Sequence, residues 1–366
     1  MKQPVIEDSL MKISNKGVVG MHFFSPLTIL MVVRSGILRR TLPIAILKKK
    51  ATINQDIKAI CLYDNSIVSY VFWVLKALES SILENYQKDG TTVESIDFER
   101  FQDIVIPIPP VSEQKRIVSV IESTFALIDK IETEKQDLFQ FVKTTKSKIL
   151  DLAIKGKLVS QDPNDESASV LLERIKSEHP ERKKKPSKTS DNSHYPFEIP
   201  DSWIWLRFSD FLTLLSGRDL SAKECNEKSN GIPYLIGASN IENNSITINR
   251  WTTSPKVISK KNDLLITCKG TVGDIIINNI GQVHIARQFM AVRTNDYIET
   301  QYLSYCLHFY IDVIKDLARG IIPGISREIL LSLYIPIPPL KEQIIIIQEV
   351  NKVFASLQTI LASIEA

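Results

Sequence analysis

The sequence predicts a mixed α/β protein in which one plan is used twice: a globular α/β segment closing on a proline-rich strand, followed by a long helix. Three observations carry this. The run Ile106-Pro107-Ile108-Pro109-Pro110, followed after two residues by Glu113-Gln114, returns as Ile335-Pro336-Ile337-Pro338-Pro339 with Glu342-Gln343. The offset is 229 throughout and also carries Phe125 onto Phe354, so composition alone does not explain it. Each copy leads into an apolar pattern of period 3.5, and ahead of each copy short apolar runs alternate with helical spacing.

Residues 1–110 form the first globular segment. Ile29-Leu30-Met31-Val32-Val33 reads as a buried strand ended by Ser35-Gly36, and Ile44-Ala45-Ile46-Leu47 follows Pro43 as a second. Residues 66–86 have helical spacing through Val71, Val74, Leu75, Leu78 and Leu83, with a turn at Asp89-Gly90 before the closing strand. Charge is lopsided here: residues 1–60 hold ten Lys/Arg against three Asp/Glu. Arg34, Arg39, Arg40 and Lys48-Lys49-Lys50 supply six of the ten, a density that favours a polyanion through counterion release. A solvated basic face is the plain alternative.

Residues 111–156 contain the first long helix. Proline suits its first turn, and Glu113 suits the positive end of the dipole there. Ile117, Ile121, Thr124, Ile128, Ile131, Lys135, Leu138, Val142, Thr145, Ile149 and Leu152 alternate in steps of four and three, the signature of a coiled-coil seam. Residues 157–194 lose the pattern and read as a linker, with a short helix at 167–178 and a polar stretch around Lys183-Lys184-Lys185. Residues 195–339 are the second globular segment. It opens with Trp203 and Trp205, continues through the strand run Asp263–Thr267, and has a helix from about Thr300 to Leu317. At an offset of 234, Val33-Arg34-Ser35-Gly36 falls on Thr267-Cys268-Lys269-Gly270, while Gly320 answers Gly90 one residue out of step. Residues 340–366 form the second long helix, with Ile346, Val350, Val353, Leu357, Ile360 and Ile364 at seam spacing. Nothing in the first segment answers Tyr195–Pro233, so the first domain is expected to lack its opening segment.

The chemistry that is missing narrows the function. The chain has 366 residues and a net charge of +3, enough for two domains and only mildly basic. Its second globular segment balances 14 Lys/Arg with 14 Asp/Glu. Cys61, Cys225, Cys268 and Cys306 form no CxxC pair and the histidines are scattered, which fits a reducing cytoplasm and suggests no zinc site. The apolar run Phe23–Val33 is too short to span a bilayer and is broken by Pro26. There is no phosphate loop, dinucleotide fingerprint, HExxH or nucleophile elbow. These absences point away from an enzyme and towards a binding or scaffold protein.

The doubled Ile-Pro-Ile-Pro-Pro-x-x-Glu-Gln before each long helix resembles the specificity subunits of type I restriction-modification systems. So do the Ile154-Lys155-Gly156-Lys157-Leu158-Val159 exit and the Pro200-Asp201-Ser202-Trp203 entry. The resemblance implies two target recognition domains, each reading half of a split double-stranded DNA sequence. It also implies that the helices pair as an antiparallel coiled coil, and that modification (methyltransferase) and restriction (translocase/nuclease) subunits are the partners. It implies a non-catalytic chain without a cofactor of its own, S-adenosylmethionine, ATP and Mg being expected on the partner subunits only. The first helix would extend roughly 67 Å, more than one DNA turn of ~34 Å. Arg34, Arg39, Arg40, Lys48, Lys269, Arg287 and Arg319 are the DNA-contact candidates, near turns after strands. Ile117, Ile121, Ile128 and Ile131 are expected to pair with Val350, Val353, Leu357 and Ile360. The second helix, at about 27 residues, is expected to leave Leu138, Val142, Ile149 and Leu152 without an intrachain partner, free to dock a methyltransferase subunit. The alternatives are a coiled-coil scaffold that binds no DNA and a non-functional fragment of such a subunit.

Overall fold

The computed structural model describes residues 4–9, 12–14, 16–88, 93–178, 195–242, 244–317 and 324–365. The expectations for Gly90, Lys183–Lys185, Arg319 and Gly320 lie outside the described residues. The chain divides into two compact units, residues 1–134 and 135–366.

Unit 1 runs β1 (Val5–Ile6), β2 (Ile29–Val32), β3 (Ile44–Leu47), β4 (Ile57–Ile60), α1 (Val68–Ala77), α2 (Glu79–Tyr86), β5 (Gln87–Lys88), β6 (Ser95–Ile96) and α3 (Phe98–Phe101). It ends in the first part of α4 (Val111–Ile154). The apolar run of β2 takes the middle of the sheet β1-β3-β2-β4, and Leu30 faces Ala45 on one side and Ala59 on the other. Only Ile29–Val32 of the predicted run is strand. Leu27 before it has a positive φ and is half exposed. One helix was expected over 66–86; the chain instead bends by 63° between α1 and α2. The bend lets Val71, Phe72 and Leu75 from α1 and Ile82 from α2 all enter one core with Ile29, Met31 and Leu38.

Unit 2 continues α4 and adds α5 (Ala168–Glu178), β7 (Ile204–Arg207), α6 (Phe208–Phe211), β8 (Thr213–Ser216), β9 (Ile232–Leu235), β10 (Ile241–Glu242) and β11 (Ser245–Ile246). Then come β12 (Trp251–Thr252), β13 (Ile258–Ser259), β14 (Leu264–Thr267), β15 (Ile275–Ile277), β16 (Val283–Ile285), β17 (Phe289–Arg293), α7 (Thr300–Leu317), α8 (Arg327–Ser332), β18 (Tyr334–Ile337) and α9 (Leu340–Glu365). The sheet β15-β14-β17-β8 repeats the antiparallel core of unit 1: Leu265 on β14 faces Ile276 and Ala291, as Leu30 faces Ala45 and Ala59. A second sheet, β12-β9-β16-β13, packs around Leu235, Val283 and Ile285. Asp263 is buried just before β14, where it takes a bidentate pair of hydrogen bonds from Arg293 at 2.8 and 2.7 Å.

The proline-rich repeat is built the same way in both units. The Tyr70 hydroxyl donates to Pro107 O at 2.9 Å, and Tyr302 donates to Pro336 O at 2.8 Å. Gln114 Nε2 donates to Pro109 O at 2.7 Å, and Gln343 Nε2 donates to Pro338 O at 3.1 Å. Both glutamines are buried. Proline has no N–H to offer a neighbouring carbonyl, so the glutamine side chain supplies the donor from the first helical turn. Trp73 stacks on Phe125 at 5.1 Å, and Tyr305 meets Phe354 at 6.2 Å in the equivalent place. The closing strand expected in both copies exists as β18, paired with β7, but residues 104–110 of unit 1 form no strand.

Two expectations about the helices change. Residues from 157 were read as linker, yet Ala168 and Leu171 of α5 are buried in the unit 2 core and Leu158 and Val159 pack against it. α4 ends in a Schellman-type turn: Gly156 has φ +66° and Lys157 N donates to Leu152 O at 2.8 Å. A Cβ on Gly156 would lie 2.4 Å from the Pro200 ring, so glycine is required twice over.

The second change reverses the seam. Ile128 and Ile131 are 43% and 55% exposed, and Ile360 is 43% exposed, whereas Val142 is 2% exposed. Ile117 packs on the core of unit 1, and Ile121 is half-buried. Within unit 2, Lys135 Nζ reaches Ile364 O at 3.2 Å and Lys146 lies over the Phe354 ring, so α9 runs antiparallel to residues 135–154. Leu138, Ile149 and Leu152 are half-buried, and Ile346, Val350 and Leu357 are buried with Val353 half-buried. The cause is topological. α9 starts where β18 ends, beside Ala153 and Ile154 in one core, and so meets the C-terminal end of α4 first. α9 is apolar enough over Leu340–Ile364 to match a bilayer span by length and composition, but Ile346 and Val350 are spent in this core.

Candidate nucleic-acid interface

The repeat places one cation at the same point of each unit. In unit 1, Val33 N donates to Asp56 O and Ile96 N donates to Val33 O, both at 2.8 Å. In unit 2, Cys268 N donates to Gln288 O at 2.7 Å and Ile325 N donates to Cys268 O at 3.0 Å. The next residues, Arg34 and Lys269, then bridge Ser95 and Gly324. The offset here is therefore 235, one more than the sequence comparison used, and it aligns Arg34 with Lys269. Both side chains are exposed, and neither has an ion-pair partner among the described residues.

Around Arg34 the backbone is held firmly. Ser35 caps the 3₁₀ turn Gly36–Arg39, its Oγ accepting from Ile37 N, while Ser35 N donates to Glu94 O at 3.1 Å. Arg39 pairs with the Glu94 carboxylate, and its guanidinium holds that carboxyl below the ordinary range. Arg40 follows, exposed and without an ion pair among the described residues. Lys48 pairs with Glu7 on the surface and lowers its pKa. Arg39 and Lys48 are thus tied to carboxylates, while Arg34 and Arg40 are not.

In unit 2, Lys269 is followed by Gly270, whose φ of +78° turns the chain at the strand end. Arg287 and Gln288 stand on the adjacent turn. A Cβ on Gly237 would lie 1.9 Å from Gln288 Oε1, so the glutamine lies directly over that backbone. Asp219 accepts from Arg287 N at 3.1 Å and from Arg287 Nε at 2.8 Å. The pair is well exposed and stabilises the fold by at most about 1 kcal/mol, so an anion can recruit Arg287 cheaply. Arg218, exposed on the same turn, has its carbonyl bonded to His284 Nε2 at 2.8 Å. Burial lowers the His284 pKa, keeping the ring neutral inside the sheet.

The structure therefore brings Lys269, Arg287, Gln288, Gly237, Arg218 and Asp219 into one polar surface, and Arg34, Arg39 and Arg40 into another. It does not join Lys48 to the second set in unit 1. The sequence reading passed over Arg218 and Gln288. The signal for Arg218 was Gly217-Arg218 directly after a strand; Gln288 had none, since its role depends on the approach of Gly237. Such surfaces suit phosphate contacts by cations and base-edge contacts by arginine and glutamine. Among the described residues no group of three or more His, Cys, Asp or Glu can hold a metal ion.

Comparison with known proteins fits this geometry. A family model described as the type I restriction modification DNA specificity domain matches residues 32–140 and 200–366. The chain is 26% identical over 321 residues to the type I restriction enzyme EcoEI specificity subunit of Escherichia coli, covering 69% of this chain and 54% of that protein. It is 25% identical over 294 residues to the MjaVIII specificity subunit of Methanocaldococcus jannaschii, covering 75% and 60%. The chain thus spans little more than half the length of these relatives. The HsdS subunit from Thermoanaerobacter tengcongensis shares the fold with a TM-score of 0.54 at 19% identity, over 93% of this chain and 75% of that one. A chain from a structure of type I R-M complex assembly and conformational transition matches with a TM-score of 0.63 at 18% identity, over 94% and 78%. The doubled motif, the repeated sheet core and the two matched regions agree, and the chain belongs to the type I restriction-modification DNA specificity domain family.

Proposed function

We propose that this chain is a DNA-binding specificity subunit of a type I restriction-modification complex, each unit reading one half of a split duplex target. The observation that carries the reading is the equivalence of Arg34 and Lys269: two exposed cations at one topological point of a repeated domain. Equivalent cations let both units make the same positioning contact with the phosphate backbone. Arg40, Arg218, Arg287 and Gln288 extend the contact surfaces, with Arg39 and Lys48 as paired cations at their edges. The chain itself carries no chemistry in this reading; S-adenosylmethionine, ATP and Mg belong to partner subunits in the cytoplasm.

The helices are proposed to pair as an antiparallel coiled coil along residues 135–154 and α9. The methyltransferase docking surface moves accordingly. Leu138, Val142, Ile149 and Leu152 are committed within unit 2, whereas Val120, Phe125, Leu127, Ile128 and Ile131 of α4, all in unit 1, are exposed. Large apolar residues this dense on one exposed helix mark a protein-binding surface. The experiment is duplex binding by the full chain with and without its modification subunit, titrated with salt. Salt-dependent, sequence-selective binding that strengthens with the partner supports the reading. Complex formation without DNA binding supports the scaffold alternative.

A further inference from the structure

Beside each exposed cation the repeat aligns a second residue, on the neighbouring strand. In unit 1, β2 pairs with β4 through Val32 and Ile57, and one residue on, Val33 N donates to Asp56 O. In unit 2, β14 pairs with β17 through Thr267 and Phe289, and one residue on, Cys268 N donates to Gln288 O. The other side of each central strand agrees, since Met31 faces Ile44 as Ile266 faces Ile275. Asp56 and Gln288 are therefore one point of the repeated fold, across from the residue that precedes Arg34 or Lys269.

Both residues are fixed through the backbone while the side chain keeps its hydrogen-bonding capacity. The Gln288 carbonyl accepts from Cys268 N at 2.7 Å and from Cys268 Sγ at 3.2 Å. The Asp56 carbonyl accepts from Val33 N at 2.8 Å and from Arg34 N at 3.3 Å. The half-buried Gln288 side chain lies over Gly237, where a Cβ would stand 1.9 Å from its Oε1, and a Cβ on Gly270 would stand 4.0 Å from the same atom. Its amide makes no hydrogen bond among the described residues, so it presents a donor and an acceptor together. The half-buried Asp56 takes only a 3.4 Å contact from Asn54 Nδ2 and has no ion pair among the described residues. Its carboxylate presents acceptors alone.

We propose that Gln288 and Asp56 are equivalent base-reading residues, Gln288 reading an adenine in the half-site of unit 2 and Asp56 a cytosine in the half-site of unit 1. In the major groove adenine offers the N7 acceptor and the N6 donor, which a glutamine amide matches with both of its ends, whereas cytosine offers the N4 donor, which a carboxylate accepts. Lys269 and Arg34, next to the paired residue in each unit, supply the phosphate contact that sets the register. The repeated frame seats both units on duplex DNA alike, and one exchanged side chain makes the two halves of the target different. This assignment rests on the DNA reading proposed above and adds base identity to it.

The test selects bound duplexes from a random-sequence pool, using the full chain together with its modification subunit, and sequences them. Gln288→Ala should lower the preference for adenine at one position of one half-site about tenfold and leave the other half unchanged. Asp56→Ala should lower the preference for cytosine severalfold at one position of the other half. Gln288→Glu should move its position from adenine towards cytosine, and Asp56→Asn should move its position from cytosine towards adenine, shifts that an unfolded domain does not produce. A base preference that survives the alanine substitution overturns the assignment of that residue. So does a loss of affinity that is uniform over all sequences, and both results leave the DNA reading standing. No selected motif with the parent chain overturns the DNA reading and this assignment together.

Discussion

Val142→Ala should cost more stability than Ile131→Ala, although isoleucine is the larger side chain. Val142 is 2% exposed between the contacts Lys135–Ile364 and Lys146–Phe354, while Ile131 is 55% exposed. Removing two buried methyl groups forfeits roughly 1.5 kcal/mol of transfer free energy, and the cavity left behind brings the cost to about 2 kcal/mol. Ile131→Ala gives up little burial and gains about 0.4 kcal/mol of helix propensity, so its effect should stay within about 0.5 kcal/mol. The assay is urea and thermal unfolding of the full chain followed by tryptophan fluorescence. In a Trp73→Phe background only Trp203, Trp205 and Trp251 report, all in unit 2. For a unit of this size about 2 kcal/mol corresponds to a Tm decrease of roughly 4–8 °C. A loss for Ile131→Ala equal to or larger than that for Val142→Ala would refute the pairing of α9 with the C-terminal half of α4.

Three further outcomes follow from the geometry. Lys269→Ala and Arg34→Ala should each weaken duplex binding severalfold and reduce the slope of log K against log salt by about 1, measured by anisotropy at several salt concentrations. Gln343 makes three side-chain hydrogen bonds, to Glu299 N, Tyr297 O and Pro338 O, whereas Gln114 donates one and leaves its buried Oε1 without a partner. At about 1 kcal/mol per bond, Gln343→Ala should cost about 3 kcal/mol in unit 2 and Gln114→Ala about 1 kcal/mol in unit 1, read from the same unfolding curves. Burial raises the Glu342 pKa above its ordinary 4.5, against bonds from Gln161 and Trp203 that lower it. A carboxyl with a raised folded-state pKa stabilises the fold below its unfolded pKa and loses that contribution as pH rises through the folded value. Glu342→Gln should therefore flatten the decline of Tm with pH above 4.5 relative to the parent chain, as differential scanning calorimetry across that range would show.

Much of the architecture was legible because it was written twice. The 229-residue offset located Pro107, Pro109, Gln114 and their partners, and the structure gives each pair the same hydrogen bond. Arg34 and Lys269, candidates in the sequence because a cation after an apolar strand leaves a local trace, are both exposed in the structure. Their alignment was one residue off because it matched Gly36 with Gly270, and Gly36 stands two residues after Arg34 whereas Gly270 stands one after Lys269; the bridges to Ser95 and Gly324 fix the register. The heptad pattern showed that α4 has a seam but not which half is covered. Periodicity is local, whereas partner choice is set by where β18 delivers α9. The same limit hid Gln288, whose place over Gly237 depends on contacts distant in sequence.

Reading of DNA by both units on behalf of a modification enzyme, as proposed above, leaves its mark in the host DNA itself. Its most direct measurement is a methylation map of host DNA after co-expression with the cognate modification subunit, using the parent chain, Arg34→Ala and Lys269→Ala. The expected result is a split motif methylated only when the parent chain is present, with methylation reduced by either substitution. Stable assembly with the modification subunit and no methylated motif would contradict it.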